Sequence, residues 1–155
     1  MEGPFDSRNP LVGLIDEVVR LNGRLKGVFA ESRREAGLGE SEIMVLNAVV
    51  EAERPPTASQ IARSLGVARQ LVQRAADSLE ASGLIATTPN PDHKRAQLLV
   101  TTPAGIALKR KADARADAAA AALTEGMDLE AAREATTALR VVRKQLEARI
   151  RAGSA

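Results

Sequence analysis

A chain of 155 residues with 22 Lys plus Arg against 20 Asp plus Glu, a net charge of +2, has room for one hydrophobic core but no global basic excess, so any footprint for nucleic acid must be local. The absence of cysteine and the single histidine exclude a disulfide framework, a thiolate nucleophile and a Cys/His zinc cluster. Two Phe and no Tyr or Trp leave Leu, Val, Ile and Ala to build the core, and argue against modules that stack single-stranded bases on aromatic rings.

No apolar run approaches the roughly 18 residues of a membrane span, and the start MEGPFDSRNP lacks the basic and apolar regions of a signal peptide. The expectation is a soluble cytoplasmic protein with no membrane partner. Residues 1–9 read as a loose polar arm. From Pro10, Leu11, Leu14, Ile15, Val18, Leu21, Leu25, Val28 and Phe29 recur at three- and four-residue steps, which predicts an amphipathic helix. Its end is signalled by the charged ESRREAG segment and Gly37. Ser41 is the expected N-cap of the next helix, ahead of Ile43, Leu46, Val49 and Val50.

Pro55 and Pro56 break the chain. Thr57 and Gln60 then stand at capping-box spacing, so a helix starts at about Ala58, and Gly66 after Leu65 closes it. A second helix opens at Ala68 or Arg69 and stops near Ser82 and Gly83. Val72, Ala75, Ala76 and Leu79 share its docking face, and Arg69, Gln70, Gln73, Arg74 and Asp77 the opposite one. Segments 84–88 and 97–101, separated by PNPDHKRA, predict a hairpin tipped by His93, Lys94 and Arg95. Thr102 and Pro103 supply an N-cap and N1 proline for a long helix to about Glu125, about 33 Å if unbroken. Asp128 caps a last helix whose stripe is Leu129, Ala132, Leu139, Val142, Leu146 and Ile150, ending at Gly153.

Helix, short turn with glycine, helix is the helix-turn-helix pattern, in which the second helix fits the major groove. Arg pairs bidentately with guanine and Gln with adenine, so Arg69, Gln70, Gln73 and Arg74 are the candidate reading residues, and Leu71 can pack on a thymine methyl. The plainer reading is a helical hairpin with a solvated polar face. The hairpin that follows directly turns the pair into a winged helix, whose Lys94 and Arg95 suit a narrow minor groove. Thr57, Ser59 and Gln60, at the front of the bracing helix, are candidates for backbone phosphates. Lys109, Arg110 and Lys111 read either as phosphate contacts or, more simply, as a solvated face. With one histidine at a hairpin tip and no Gly-rich phosphate loop, no catalytic constellation stands out and no enzyme is expected.

Taken together, TASQIARSLGV, ARQLVQRAADSLEASGLI and NPDHKRAQLLVTTPAG resemble the MarR family of winged helix-turn-helix transcriptional regulators. The most specific parts are Asp77, Leu79, Glu80, Gly83 and Leu84, and Lys94-Arg95-Ala96 with Leu98 and Thr102-Pro103-Ala104-Gly105. The resemblance implies a mainly α fold with a small β-hairpin wing. It makes residues 1–155 a single domain, in which 41–102 form the DNA-binding region and 10–36 and 103–152 the dimerisation helices. It further implies a homodimer on a pseudo-palindromic double-stranded operator, its reading helices about 34–36 Å apart. The implied role is repression relieved by a small, often aromatic or phenolic, effector, with no cofactor or metal. Met44 and Phe29 then serve as core residues or line the effector pocket. Two departures stand out. His93 occupies the place of the acid in the family's Asp-x-Arg wing, with Asp92 beside it to substitute, and Ala68 stands where Ser or Thr often caps the reading helix. His93 itself could donate to phosphate, gain charge near pH 6, or have no special role. The competing reading of the whole chain is a winged helix that binds protein and not DNA.

Overall fold

Asn9 opens the first helix by accepting a hydrogen bond from the Leu11 amide at 3.0 Å, and Pro10 follows at the first helical position, where its missing N–H costs nothing. In this computed structural model, which describes residues 9–30, 34 and 36–153, helix α1 runs Pro10–Val28. The expected stop in ESRREAG falls largely outside the described residues. Helix α2 is Glu40–Val50, and its N-cap is Gly39 and not Ser41. The reason is Glu42, whose carboxylate reaches back to accept from the Gly39 amide at 2.6 Å and so moves the start upstream, leaving Ser41 inside the helix.

Helix α3, Ala58–Leu65, has the full reciprocal capping box: the Gln60 amide donates to the Thr57 hydroxyl at 3.2 Å, and the Thr57 amide to Gln60 Oε1 at 2.8 Å. Gly66 ends it at φ 67°, a left-handed conformation that a side chain would strain. Helix α4, Arg69–Ala81, begins two residues later. Strands β1, Ile85–Thr88, and β2, Leu98–Thr101, pair antiparallel with Ile85 opposite Thr101 and Thr88 opposite Leu98. Helix α5 is Pro103–Thr124, started by Thr102, whose hydroxyl accepts from the Gly105 amide at 3.1 Å. Helix α6 is Leu129–Gly153, capped by Asp128, whose Oδ1 accepts from the amides of Glu130 and Ala131.

The chain divides into two units, Met1–Ala119 and Ala120–Ala155. The core lies in the first, where Val45, Leu46 and Val49 of α2 meet Ala58, Ile61 and Ala62 of α3, Val72, Ala75, Ala76 and Leu79 of α4, Ile85 and Leu99. Helix α1, in the same unit, buries no residue: Leu11, Val12, Ile15, Val18, Val19, Leu21, Leu25 and Val28 are all exposed. In the second unit α6 likewise buries none, with Leu129, Val141, Leu146 and Ile150 exposed. Phe29 and Met44 are half-buried. Among the described residues no helix is long and apolar enough to cross a membrane.

Lys109 departs from both sequence readings. It is 9 % exposed, and its amine lies 2.6 Å from Asp113 and 3.1 Å from Glu51, tying the C-cap of α2 to α5. Burial pushes that amine's pKa down, but the hydrogen bonds and charges of Asp113 and Glu51 outweigh it and hold it above the ordinary lysine value.

Gly105 sets how near α5 can start to the turn after α4. A Cβ there would stand 1.9 Å from the Leu84 carbonyl oxygen, while the Thr102 hydroxyl donates to the Gly83 carbonyl at 2.8 Å and holds the two segments together. Gly105→Ala is therefore expected to destabilise the fold by about 1–3 kcal/mol through overpacking. Urea denaturation tests this, and an unchanged midpoint would contradict it.

Candidate nucleic-acid interface

Helix α4 presents the expected faces. Val72, Ala75, Ala76 and Leu79 are buried, while Arg69, Gln70, Gln73, Arg74 and Asp77 are exposed and Leu71 is half-buried. Its N-cap, Ala68, makes no side-chain bond; the Ala68 carbonyl alone accepts from the amides of Leu71 and Val72. The positive end of the helix dipole is thus left available to an anion such as phosphate.

Two carboxylates hold this helix in place. Glu42 Oε1 of α2 accepts from the Ser78 hydroxyl at 2.5 Å, and Glu80 Oε1 accepts from both the amide and the hydroxyl of Thr87 on β1, at 3.2 and 2.7 Å. The first joins α4 to α2, the second joins it to the wing. From the other side, the Leu99 amide of β2 donates to the Pro56 carbonyl at 2.8 Å, which draws the wing against the segment entering α3.

The result is a cleft of about 990 Å³ in the first unit, between the start of α3, the start of α4 and the wing. Of the residues singled out from sequence, Thr57, Ser59, Gln60, Arg69, His93 and Arg95 line it. Gln70, Gln73, Arg74 and Lys94 are exposed but do not line it. Two further cations do: Arg54, just before the proline pair, and Arg63, four residues after Ser59 on the outer side of α3. The spacing of Ser59 and Arg63 on one helical face was a signal for the second. Nothing local pointed to Arg54, which reaches the cleft because the chain at Pro56 is tied to the wing. Among the described residues, none of Arg54, Arg63, Arg69, Arg74, Lys94 and Arg95 is held in an ion pair, in contrast to Lys109.

Thr57 is buried and its hydroxyl and amide serve the capping box, as does Gln60 Oε1. The wing turn is built by Asn90, whose Oδ1 accepts from the Asp92 amide at 3.0 Å and whose carbonyl accepts from the His93 amide at 3.3 Å. His93 is exposed at the turn. Asp92 lines the cleft, yet among the described residues no hydrogen bond or ion pair joins it to Arg69, Arg74 or Arg95.

The Ser78 hydroxyl, and after it the Gly39 amide, hold the Glu42 carboxyl below its ordinary value of 4.5. A depressed carboxylate contributes stability above its unfolded value, and that contribution is lost as pH falls through the lower folded value. Ser78→Ala is expected to cost about 0.5–1 kcal/mol at neutral pH, the low range for a hydrogen bond in contact with water. The difference from the unaltered protein should shrink below pH 4.5. Urea titrations across an acid pH series check this; a difference independent of pH would show that the bond does not hold Glu42 ionised.

Residues 36–96, which span α2, the helix pair and most of the wing, match the model described as the MarR family. An uncharacterised protein of Mycobacterium tuberculosis is 37% identical over 92 residues, 59% of this chain and 63% of that protein, so the chain spans under two thirds of the length of this curated relative. A MarR-family transcriptional regulator of Rhodococcus sp. RHA1 superimposes with a TM-score of 0.76 at 24% identity, over 88% of this chain and 96% of that one. CouR of Rhodococcus jostii RHA1, solved with p-coumaroyl-CoA bound, gives a TM-score of 0.71 at 24% identity over 84% and 90%. These likenesses show the fold.

Proposed function

We propose, from the premise that residues 36–96 are the winged-helix region of a MarR-family protein, that the chain is a sequence-specific regulator of transcription that binds double-stranded DNA. The carrying observation is the cleft: the start of the bracing helix, the start of the reading helix and the wing converge on it, and its arginines are free of ion pairs among the described residues. Counterion release on phosphate contact is the driving term such a surface supplies. Residues 41–102 form the DNA-binding region in this reading. Gln70, Gln73 and Arg74 lie on the exposed face of α4 to read base edges in the major groove, with Arg69 at the phosphate-facing end. His93, Lys94 and Arg95 serve the wing, and Thr57, Ser59 and Gln60 the backbone beside α3.

The protein acts as a homodimer on a pseudo-palindromic operator, through residues 10–36 and 103–152. Support comes from the apolar stripes of α1 and α6, in which no residue is fully buried among the described residues. Each Leu, Val or Ile fully covered by a partner would contribute about 1.5–3 kcal/mol. Regulation is repression released by a small aromatic or phenolic effector; that CouR, a protein of the same fold, was solved with p-coumaroyl-CoA supports the class and leaves the identity to experiment. Cytoplasmic location follows from the role.

Titration with duplex DNA at two salt concentrations tests the reading. Binding should weaken steeply as salt rises, and Lys94→Ala or Arg95→Ala should weaken all sequences almost uniformly while reducing the log–log salt slope by about 0.9 per lost contact. Gln73→Ala should instead relax preference at one position per half-site, by about 1–3 kcal/mol. Absence of salt-sensitive binding to any duplex would leave a protein-binding winged helix in its place.

Sedimentation equilibrium tests the assembly. Ile15, 53 % exposed in the single chain, can carry a charge there at little cost, so Ile15→Glu should yield a folded protein of half the mass. A dimer unaffected by this change would place the interface elsewhere.

A further inference from the structure

On the exposed face of α4, Gln73 Nε2 donates to Asp77 Oδ1 at 2.9 Å, one helical turn along. A carboxylate offers only acceptors, so the group facing Asp77 has to be the amide nitrogen, which settles the orientation of the Gln73 side chain by chemistry. One N–H is thereby engaged. The carbonyl oxygen and the second N–H remain, and these are the acceptor and donor that a bidentate contact with adenine N6 and N7 needs. Asp77 puts a negative charge on the same exposed face as Arg74, and a negative charge there opposes DNA binding.

We infer that Asp77 is a positioning residue for specificity, one that fixes the Gln73 amide so that it reads a single base edge. This rests on the DNA-binding reading of the cleft. A free glutamine has three side-chain torsions and can present its amide in either sense, so it accepts several bases with little discrimination. Tethered at Nε2, it keeps one presentation before DNA arrives, and the ordering cost of the side chain is met in the free protein. The negative charge lowers affinity for every sequence, and in exchange one position per half-site is read sharply.

Selection from a randomised double-stranded DNA library, with sequencing of the bound fraction, tests this on the full chain. Variants Asp77→Ala, Asp77→Asn, Gln73→Ala and the double variant Gln73→Ala/Asp77→Ala are compared after thermal melting has shown each to be folded. The position whose preference is lost in Gln73→Ala should flatten by about fivefold or more in Asp77→Ala. Asp77→Asn, which keeps an accepting oxygen but no charge, should retain the preference. In the double variant, removal of Asp77 should change nothing further at that position. Both Asp77 variants should bind all duplexes more tightly at low salt. The proposal is overturned if Asp77→Ala leaves the Gln73-dependent position as sharp as before, or if Asp77→Asn flattens it equally, which would assign the effect to charge. It is also overturned if Asp77→Ala alters a different position even without Gln73, since Asp77 would then read a base itself. If the unaltered protein enriches no sequence, the DNA-binding reading fails and this proposal with it.

Discussion

The division of α4 into two faces is the constraint on which everything else depends. Val72, Ala75, Ala76 and Leu79 are each under 5 % exposed, and the two alanines are small enough to let the helix pack closely on α2 and α3. With that face committed, helical geometry leaves Arg69, Gln70, Gln73, Arg74 and Asp77 no direction but outward. A substitution that rotated α4 by one residue would bury charge and expose Leu79, so stability and the exposed polar surface are set by the same packing.

The wing is joined to this helix by few but well-placed bonds. Glu80 holds β1 through Thr87, the Leu99 amide holds β2 to Pro56, and Thr102 and Gly105 close the start of α5 onto the end of α4. The bonds from Leu99 to Pro56 and from Thr102 to Gly83 link residues distant in sequence, and together with the Glu80 bonds they turn three separate polar segments into one cleft. Lys109 performs a related task at the C-terminal end of α2, where its pairing with Glu51 joins that helix to the first turns of α5. A shift of α5 would be felt at the end of α2, a helix that also carries the Glu42 bond to α4.

Much of this was legible in the sequence because the signals are local. Thr57 with Gln60, Gly66, Gly83, Thr102 with Pro103, and Asp128 set helix ends within a residue or two, and helical periodicity sorted the faces of α4. The departures arose where a longer-range bond, or a competing local one, decides. Ser41 is a good N-cap by type, but Glu42 bonds the Gly39 amide and starts α2 earlier. Lys109 stands in a basic run that reads as solvated, and only the fold brings Glu51 to it. Arg54 was absent from the candidate site because its proximity to the wing depends on the bond between Leu99 and Pro56, whereas Arg63 was within reach of the sequence through its spacing from Ser59. Gly105 carried meaning only as part of a family pattern until the Leu84 carbonyl appeared beside it.

The central claim is that the cleft and the outer face of α4 form one surface for duplex DNA. Backbone amide chemical-shift mapping of the full chain against a duplex selected by the protein tests it most directly. The account predicts that the shifted amides gather at Arg54, Thr57 to Gln60, Arg63, Arg69 to Arg74 and His93 to Arg95, with those of the buried Val45, Leu46 and Val49 of α2 perturbed far less. Shifts confined to other surfaces, or none under conditions where the duplex is in excess, would contradict it.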